Sequence, residues 1–202
     1  MTRKPPVARQ PAPTTTDDHR RTRPVRWFCA QELALLADDQ NLLNWLSDRS
    51  SLTGRIRRLG GPGFTLEVVE ENVEPVTGED RRHLDCEEPE IYVRKVRMSC
   101  NGVRLVFATT RVPSHTLGRH RWLGRLSDRP LGEALGDRDD VTRTPFEYAW
   151  VEDGDALHAD VLSGTDIAPL GLWARRSRFL IQNDPILVYE VFLPGLSQLG
   201  SD

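Results

Sequence analysis

The sequence predicts an α+β protein with a largely antiparallel sheet of about six strands. Two pairs of β-rich runs are each separated by a few turn-forming residues, which is typical of β-hairpins. Apolar residues at helical spacing come before the first strand, and further short helical stretches lie between later strands. Hairpins with helices in front of them and inserted between them indicate the α+β class.

Three short helices are expected before the first strand. Residues 28–48 carry leucines and a tryptophan at helical spacing, and a break near residues 38–40 divides the segment into two helices. Ser50 and Ser51 are favourable N-caps for a third helix. The glycines and proline of residues 60–63 end that helix.

The strongest local signal is a hairpin in the middle of the chain. A strand is expected over residues 64–70, followed by a polar, acid-rich loop to about residue 89. Two β-rich runs, 91–100 and 103–112, are then joined by Asn101-Gly102. This pair is preferred in tight hairpin turns because both of its positions take a positive φ.

Side chains alternate between the two faces of a strand, so the first arm of this hairpin can be divided by face. Arg94 falls among the apolar neighbours Tyr92, Val96, Met98 and Cys100. It is therefore a cation on a face that otherwise favours burial. Lys95 and Arg97 fall on the other face, where we interpret them as ordinary solvated charges.

The next part of the chain combines loops, helices and one strand. Pro130-Leu131-Gly132 begins a turn of helix within a mixed region. Residues 143–152 are expected to form a strand, and residues 156–162 a short helix.

The chain ends in a second hairpin, whose last strand is strongly apolar. Its arms are residues 173–181 and 185–194, joined by a turn over residues 182–185. In the second arm, Glu190 shares a face with apolar residues: Ile186, Val188 and Phe192. Arg176 lies in the first arm.

Arg94 and Glu190 are thus opposite charges, each set into an apolar strand face. A buried carboxylate needs a partner or a catalytic role. The two side chains can converge in one pocket and form a site. Alternatively they form a structural ion pair or lie on an exposed face, and alternation alone favours these structural alternatives.

Composition indicates one globular domain with an N-terminal tail. Residues 1–26 contain five prolines, five threonines and seven Lys/Arg against two Asp, with too few apolar residues to form a core. We expect a disordered basic tail there and a single domain over residues 27–202. The rest of the chain is acidic, which argues against nucleic-acid binding.

Several function classes are disfavoured by features that the sequence lacks. No apolar run reaches the length of a membrane span, so stable membrane insertion is not expected. The three cysteines form no CxxC pair, which indicates a reducing cytosol, and the five histidines show no metal-ligand spacing. No P-loop, GxSxG or HExxH motif is present. We expect a cytoplasmic protein without a metal site, and we expect it to be a monomer.

Four segments resemble the bacterial chorismate–pyruvate lyase family, also called 4-hydroxybenzoate synthase, and occur in that family's order. They are LLNWLSDRSSLTGRIRRLG (42–60), YVRKVRMSCNGVRLVFATTRVPSHTL (92–117), LSDRPLGEAL (126–135) and GLWARRSRFLIQNDPILVYEVFLP (171–194). The last segment, with WxRRSxF, a hairpin and EVFLP, is the most specific of the four.

The resemblance implies a six-stranded antiparallel sheet with helices inserted around an enclosed pocket. It implies an enzyme that removes the enolpyruvyl group of chorismate, releasing pyruvate and 4-hydroxybenzoate, the first committed aromatic of ubiquinone synthesis. Family members need no metal and no cofactor. The implied partners are therefore the small-molecule substrate and the aromatic product.

The resemblance also assigns site residues. The carboxylate-binding arginine falls on Arg94, and the acid that faces the ring hydroxyl falls on Glu190, so these two are the implied catalytic residues. Main-chain amides of the pocket fall at Leu52 and Leu131. Arg176 is a candidate for the enolpyruvyl carboxylate, with strand packing or pairing with the acid-rich loops as its alternative role.

Two other functions remain open at this point. The same fold resembles effector-binding domains of bacterial transcription regulators, so the chain can be a non-catalytic domain that binds a small acid. It can also be an interaction protein that works through its basic tail. Deleting residues 1–26 distinguishes such an interaction protein from a lyase, because a lyase that lacks the tail keeps its turnover.

Overall fold

The computed structural model describes residues 23–37, 39–136, 138–162 and 171–199. The expected tail lies outside these residues except for its last four. There the amide of Arg23 donates to the carbonyl of Gly154 at 2.9 Å, so contact with the domain begins before Trp27.

In the described residues, seven strands and seven α-helices are present. The strands are β1 (Phe64–Pro75), β2 (Glu90–Cys100), β3 (Val103–Pro113), β4 (Val141–Arg143), β5 (Glu147–Glu152), β6 (Gly171–Ile181) and β7 (Asp184–Phe192). The helices are α1 (Ala30–Leu36), α2 (Gln40–Ser47), α3 (Leu52–Gly60), α4 (Gly78–Leu84), α5 (Ser114–Arg119), α6 (Leu131–Gly136) and α7 (Ala156–Leu162).

The strands form one antiparallel sheet in the order β1-β2-β3-β7-β6-β4, and β5 also pairs with β6. The α+β class and the antiparallel sheet are therefore confirmed. The described strands number seven instead of about six because the single strand expected over residues 143–152 is two strands. Both β4 and β5 pair with β6, at different positions along it.

The front helices form where the sequence places them, and their caps explain their boundaries. The Asp39 side chain accepts hydrogen bonds from the first amides of α2, and the Ser51 side chain accepts from the Gly54 amide at 3.1 Å to begin α3. The expectation of an acid-rich loop after β1 was wrong in part, because this segment contains α4. Thr77 and Asp80 form a capping box there, which stabilises a helix whose residues are mostly polar.

The second hairpin is tighter than expected. Gln182 and Asn183 both take positive φ, 51° and 75°, and form a two-residue turn. Ile181 therefore pairs with Asp184, and the four-residue turn over residues 182–185 was wrong. This correction shifts the pairing of every residue between β6 and β7.

Helices cover both faces of the sheet. We call front face the side that carries Arg94, Thr110 and Glu190, which packs against α2, α3 and α6. We call back face the side that carries Lys95 and Tyr189, which packs against α4 and α7. No helix in the described ranges is both long and apolar enough to cross a bilayer.

The back face corrects one expectation about charge. Lys95 and Arg97 are not solvated but only 9% and 8% exposed. The Lys95 ammonium lies 3.0 Å from a Glu70 carboxylate oxygen, and the Arg97 guanidinium lies 2.8 Å from one of Glu67. Both carboxylates come from β1, which pairs with β2 and lies directly beside these cations.

Candidate active site

A cavity of about 300 Å³ lies on the front face of the sheet. Its floor is formed by side chains of β2, β3 and β7, and its walls by the α2–α3 loop, the start of α6 and β4. This volume is at the lower end of the range for small-molecule pockets, about 300–1,000 Å³, and suits a ligand with a single ring.

The structure brings four of the five expected site residues to this cavity. Arg94, Glu190, Leu52 and Leu131 all line it. Leu52 is the first residue of α3 and Leu131 the first residue of α6, positions where backbone amides have no partner within their own helix.

Arg94 is almost fully buried, at 2% exposure, and two of its three guanidinium nitrogens donate hydrogen bonds within the protein. Nε donates to a Glu71 carboxylate oxygen at 2.9 Å, and Nη2 donates to the Ser127 carbonyl at 2.5 Å. No described residue accepts from Nη1. Arg94 is therefore held rigidly by two contacts and keeps one donor nitrogen for a ligand.

Glu190 is paired with Arg175 and not with Arg94. Arg175 Nε donates to Glu190 Oε2 at 2.5 Å. The same guanidinium donates through Nη1 to the carbonyls of Trp45, Leu46 and Asp48 at the end of α2, at 3.1, 3.0 and 2.7 Å. Arg175 is fully buried, so it fixes the carboxylate of Glu190 against both the sheet and the α2–α3 loop.

The sequence reasoning missed Arg175, although the hairpin contained the necessary signal. Arg175 and Glu190 are direct cross-strand partners in the β6–β7 pair, and partners share a face. A two-residue turn at Gln182-Asn183 gives this pairing, whereas the four-residue turn does not. The register of the hairpin was therefore the missing information.

Arg143 is a second residue that the sequence did not reveal. Its guanidinium lies over the rings of Phe146 and Phe179, at 3.9 and 4.7 Å from their centroids, and lines the cavity. Nε donates to the Ser177 hydroxyl at 2.9 Å, and Nη2 lies 3.7 Å from Glu190 Oε2. No local pattern marks this residue, because β4 has only three residues.

The surroundings of Arg143 favour an anionic ligand. Burial lowers the pKa of this guanidinium to about 10, from an ordinary value of 12.5, and the nearby cations Arg175 and Arg49 act in the same direction. The carboxylate of Glu190 opposes the effect only in part. An anion bound in the cavity stabilises the charged guanidinium by restoring the charge balance.

Arg176 does not reach this cavity, which corrects its expected position. It pairs with Tyr189 across the hairpin and therefore lies on the back face. Its guanidinium donates to the carboxylates of Glu147, at 2.8 Å, and Glu79, and stacks over the ring of Trp27. These contacts match the structural alternative for this arginine, which is pairing with the acidic segments.

The geometry defines what the cavity can do chemically. Arg94 and Arg143 provide positive charge at two places, and a fixed carboxylate, Glu190, lies beside one of them. Such a site can bind a small dianion and place a carboxylate against a hydroxyl or a carbon-bound proton. Among the described ranges, no three His, Cys, Asp or Glu side chains are grouped so as to hold a metal ion.

Solved structures share this fold. The C-terminal domain of the histidine utilization repressor from Pseudomonas syringae pv. tomato superposes with a TM-score of 0.51 at 14% identity, over 69% of this chain and 97% of that chain. The effector-binding domain of the B. subtilis trehalose repressor gives 0.51 at 9% identity, over 68% and 94%. At these identities the likeness indicates the fold alone.

Sequence comparisons identify the family. A probable chorismate pyruvate-lyase of Nitrosomonas eutropha is 33% identical over 161 residues, which are 79% of this chain and 90% of that protein. A probable chorismate pyruvate-lyase of Thiobacillus denitrificans is 36% identical over 159 residues, 78% and 84% of the two chains. The family model described as chorismate lyase matches residues 22–199. This chain therefore belongs to the chorismate lyase family.

Proposed function

We propose that this protein converts chorismate into 4-hydroxybenzoate and pyruvate. The observation that carries the proposal is the grouping of two guanidinium groups and one fixed carboxylate on a cavity sized for one ring. Membership of the chorismate lyase family supports the same reaction. We further propose that the aromatic product supplies ubiquinone synthesis.

The charges of the cavity fit those of the substrate. Chorismate carries one carboxylate on its ring and one on its enolpyruvyl group, so a pocket that binds it needs two cationic positions. Arg94 binds the ring carboxylate through its free Nη1, helped by the amides of Leu52 and Leu131. Arg143 lies beside Glu190, where the enolpyruvyl carboxylate is placed.

The reaction is an elimination that makes the ring aromatic. The bond between the ring and the ether oxygen breaks, and the ring carbon that bears the hydroxyl loses its proton. Enolpyruvate departs and becomes pyruvate when its methylene carbon takes up a proton. Aromatisation provides most of the driving force, so the protein's main task is to hold the ring in a reactive geometry and exclude water.

Glu190 is the group best placed to assist this step. With the ring carboxylate on Arg94, the opposite end of the ring carries the hydroxyl and faces Glu190. The carboxylate orients the hydroxyl or moves the adjacent proton, a contribution typically worth about 10²–10⁴-fold in rate. Arg175 acts as a positioning residue because it holds this carboxylate at 2.5 Å.

The direct test is to incubate the purified protein with chorismate and to follow both products. We expect 4-hydroxybenzoate and pyruvate to form in equal amounts, measured by chromatography and by a coupled reduction of pyruvate. A mock preparation, purified in the same way from cells that do not express the protein, serves as the control for any contaminating activity. If wild-type protein forms neither product faster than this control, the proposed reaction is wrong.

A second candidate function is non-catalytic binding of a small acid. The likeness to the effector-binding domain of the trehalose repressor favours it, since both chains share one fold. The same assay separates the two functions. A sensing domain binds chorismate or 4-hydroxybenzoate without turnover, whereas a lyase consumes chorismate repeatedly.

A further inference from the structure

A second cavity, of about 640 Å³, lies on the back face of the sheet, directly behind the candidate active site. Consecutive residues of the same strands contribute to the two cavities: Arg94 and Lys95, Thr110 and Thr109, Glu190 and Tyr189. The sheet therefore separates two cavities, of which the proposed lyase reaction uses only one.

The floor of this back cavity contains two hydroxyl groups, one of which is buried without a partner among the described residues. Thr109 and Tyr189 are cross-strand neighbours, only 3% and 4% exposed, and both line the cavity. The Thr109 hydroxyl is buried and hydrogen-bonds to no residue of the described chain. Buried polar groups almost always have a hydrogen-bond partner, so the Thr109 hydroxyl points to a ligand with polar atoms.

Among the described residues, the network of ion pairs beside these hydroxyls contains more carboxylates than cations. Lys95 lies 3.0, 3.2 and 3.1 Å from the carboxylates of Glu70, Glu74 and Asp160. Arg111 lies 2.8 Å from Glu74 and 2.6 Å from a fourth carboxylate, that of Asp80. Four carboxylates thus share two cations.

The carboxylate surplus is costly, and a bound cation relieves it. Burial raises the pKa of Asp160, and the neighbouring Glu74 and Glu70 act in the same direction. The described residues contain no group arranged to hold a metal ion. An organic ammonium, which hydrogen-bonds to carboxylates and hydroxyls alike, matches the surroundings better.

The other walls supply the opposite charge and an apolar surface. Arg82 lines the cavity and is exposed. Val25, Ala156, Leu157 and Ala159 add an aliphatic wall.

We propose that the back cavity binds a free α-amino acid with an aliphatic side chain. Its ammonium group lies against Asp160 and Glu74 and receives support from the hydroxyls of Thr109 and Tyr189. Its carboxylate lies against Arg82, and its side chain packs on the aliphatic wall. This assignment does not depend on the proposed lyase reaction, because it concerns binding on the other face of the sheet.

Calorimetric titration with three matched probes tests the proposal. L-leucine carries both charges, isoamylamine lacks only its carboxylate, and isocaproate lacks only its ammonium. We expect leucine to bind in the millimolar range or tighter and each analogue to bind at least about tenfold more weakly, since charge-assisted hydrogen bonds are lost. Absence of leucine binding, or an analogue that binds as well as leucine, overturns the proposal. Lacking a ring, all three probes are poor ligands for the front cavity.

Two variants then locate the site. Tyr189→Phe removes one hydroxyl without changing the ring, and we expect leucine binding to weaken about two- to tenfold. Asp160→Asn removes one of the four carboxylates. We expect it to weaken leucine binding at least as much and to leave isocaproate binding unchanged. Arg94→Gln, on the front face, serves as the control and keeps the wild-type affinity for leucine. Wild-type affinity in both back-face variants overturns the assignment.

Discussion

Arg94 and Lys95 are consecutive residues of β2, yet they lie on opposite faces of the sheet and in different surroundings. On the front face, Arg94 keeps one guanidinium nitrogen without an acceptor among the described residues, beside a cavity. On the back face, Lys95 is surrounded by three carboxylates. The same contrast separates Arg175, which holds Glu190, from Arg176, which pairs with Glu147 and Glu79.

A bulge in β1 produces this contrast in β2. The register between β1 and β2 shifts between Val68 and Glu70. Because of the extra residue, Glu70 pairs with Lys95 on the back face and Glu71 pairs with Arg94 on the front face. The strand β1 thus supplies one carboxylate, that of Glu71, to the front face and several to the back face. The difference teaches that the neighbouring strand decides whether a strand cation is left free for a ligand.

The largest expected effect concerns catalysis on the front face. Replacing Glu190 by Gln should lower kcat by about 10²–10⁴-fold, the usual contribution of an acid–base group. The amide still offers an acceptor to Arg175, so the fold should be retained. Steady-state kinetics with chorismate and a circular-dichroism melting curve measure the two effects.

The matched control for Glu190 is Glu147, a carboxylate on the back face that pairs with Arg176. Glu147→Gln should keep the wild-type kcat, because its side chain is half exposed and does not line the front cavity. Equal loss of turnover in the two variants would show that the face of the sheet does not decide whether a carboxylate contributes to catalysis.

The second prediction concerns stability, and it compares the two adjacent arginines of β6. Arg175→Met should lower the free energy of unfolding by about 3–5 kcal/mol, because Glu190 and three carbonyls lose a buried partner. Arg176→Met should cost less, since its partners Glu147 and Glu79 are 46% and 31% exposed and can be hydrated. Urea unfolding of both variants measures the difference. Equal losses would contradict the contrast.

The third prediction separates binding from stability within β2. Arg94→Gln should weaken binding of 4-hydroxybenzoate by roughly 10- to 100-fold, because a charge-assisted bond to the carboxylate is lost. Arg97→Gln, three residues along and on the back face, should leave the affinity unchanged. Calorimetric titration with the product compares them, and an unchanged affinity in Arg94→Gln removes Arg94 from the site.

Features that depend on nearby residues could be predicted from the sequence. Asn101-Gly102 gives the middle hairpin, and Ser51 gives the start of α3, because turn and cap preferences act within a few residues. Alternation along single strands likewise placed Arg94 and Glu190 on apolar strand faces, and both residues line the cavity. These features need no knowledge of which strands are neighbours.

Features that depend on register could not be predicted in this way. Arg175 reaches Glu190 only through the two-residue turn at Gln182-Asn183, which lacks the glycine that usually marks such turns. Lys95 lies opposite Glu70 because of the bulge in β1. The pairing of two strands that are distant in the chain cannot be predicted from the sequence of either strand alone.

The smallest expected effect tests the back-face ion pairs by pH. Hydrogen bonds from Arg111 and Lys95 outweigh the cost of burial and hold the pKa of Glu74 below its ordinary value of 4.5. A carboxylate with a lowered pKa stabilises the fold fully above the unfolded-state value, and this stabilisation is lost as the pH falls through the folded-state value. Glu74→Gln should therefore cost about 1 kcal/mol or less near neutral pH, and this difference from wild type should shrink steadily below about pH 4.5. Urea unfolding across this range measures it. A difference that stays constant with pH would show that Glu74 acts through packing, and the contrast between paired and free charges would then not extend to this part of the back face.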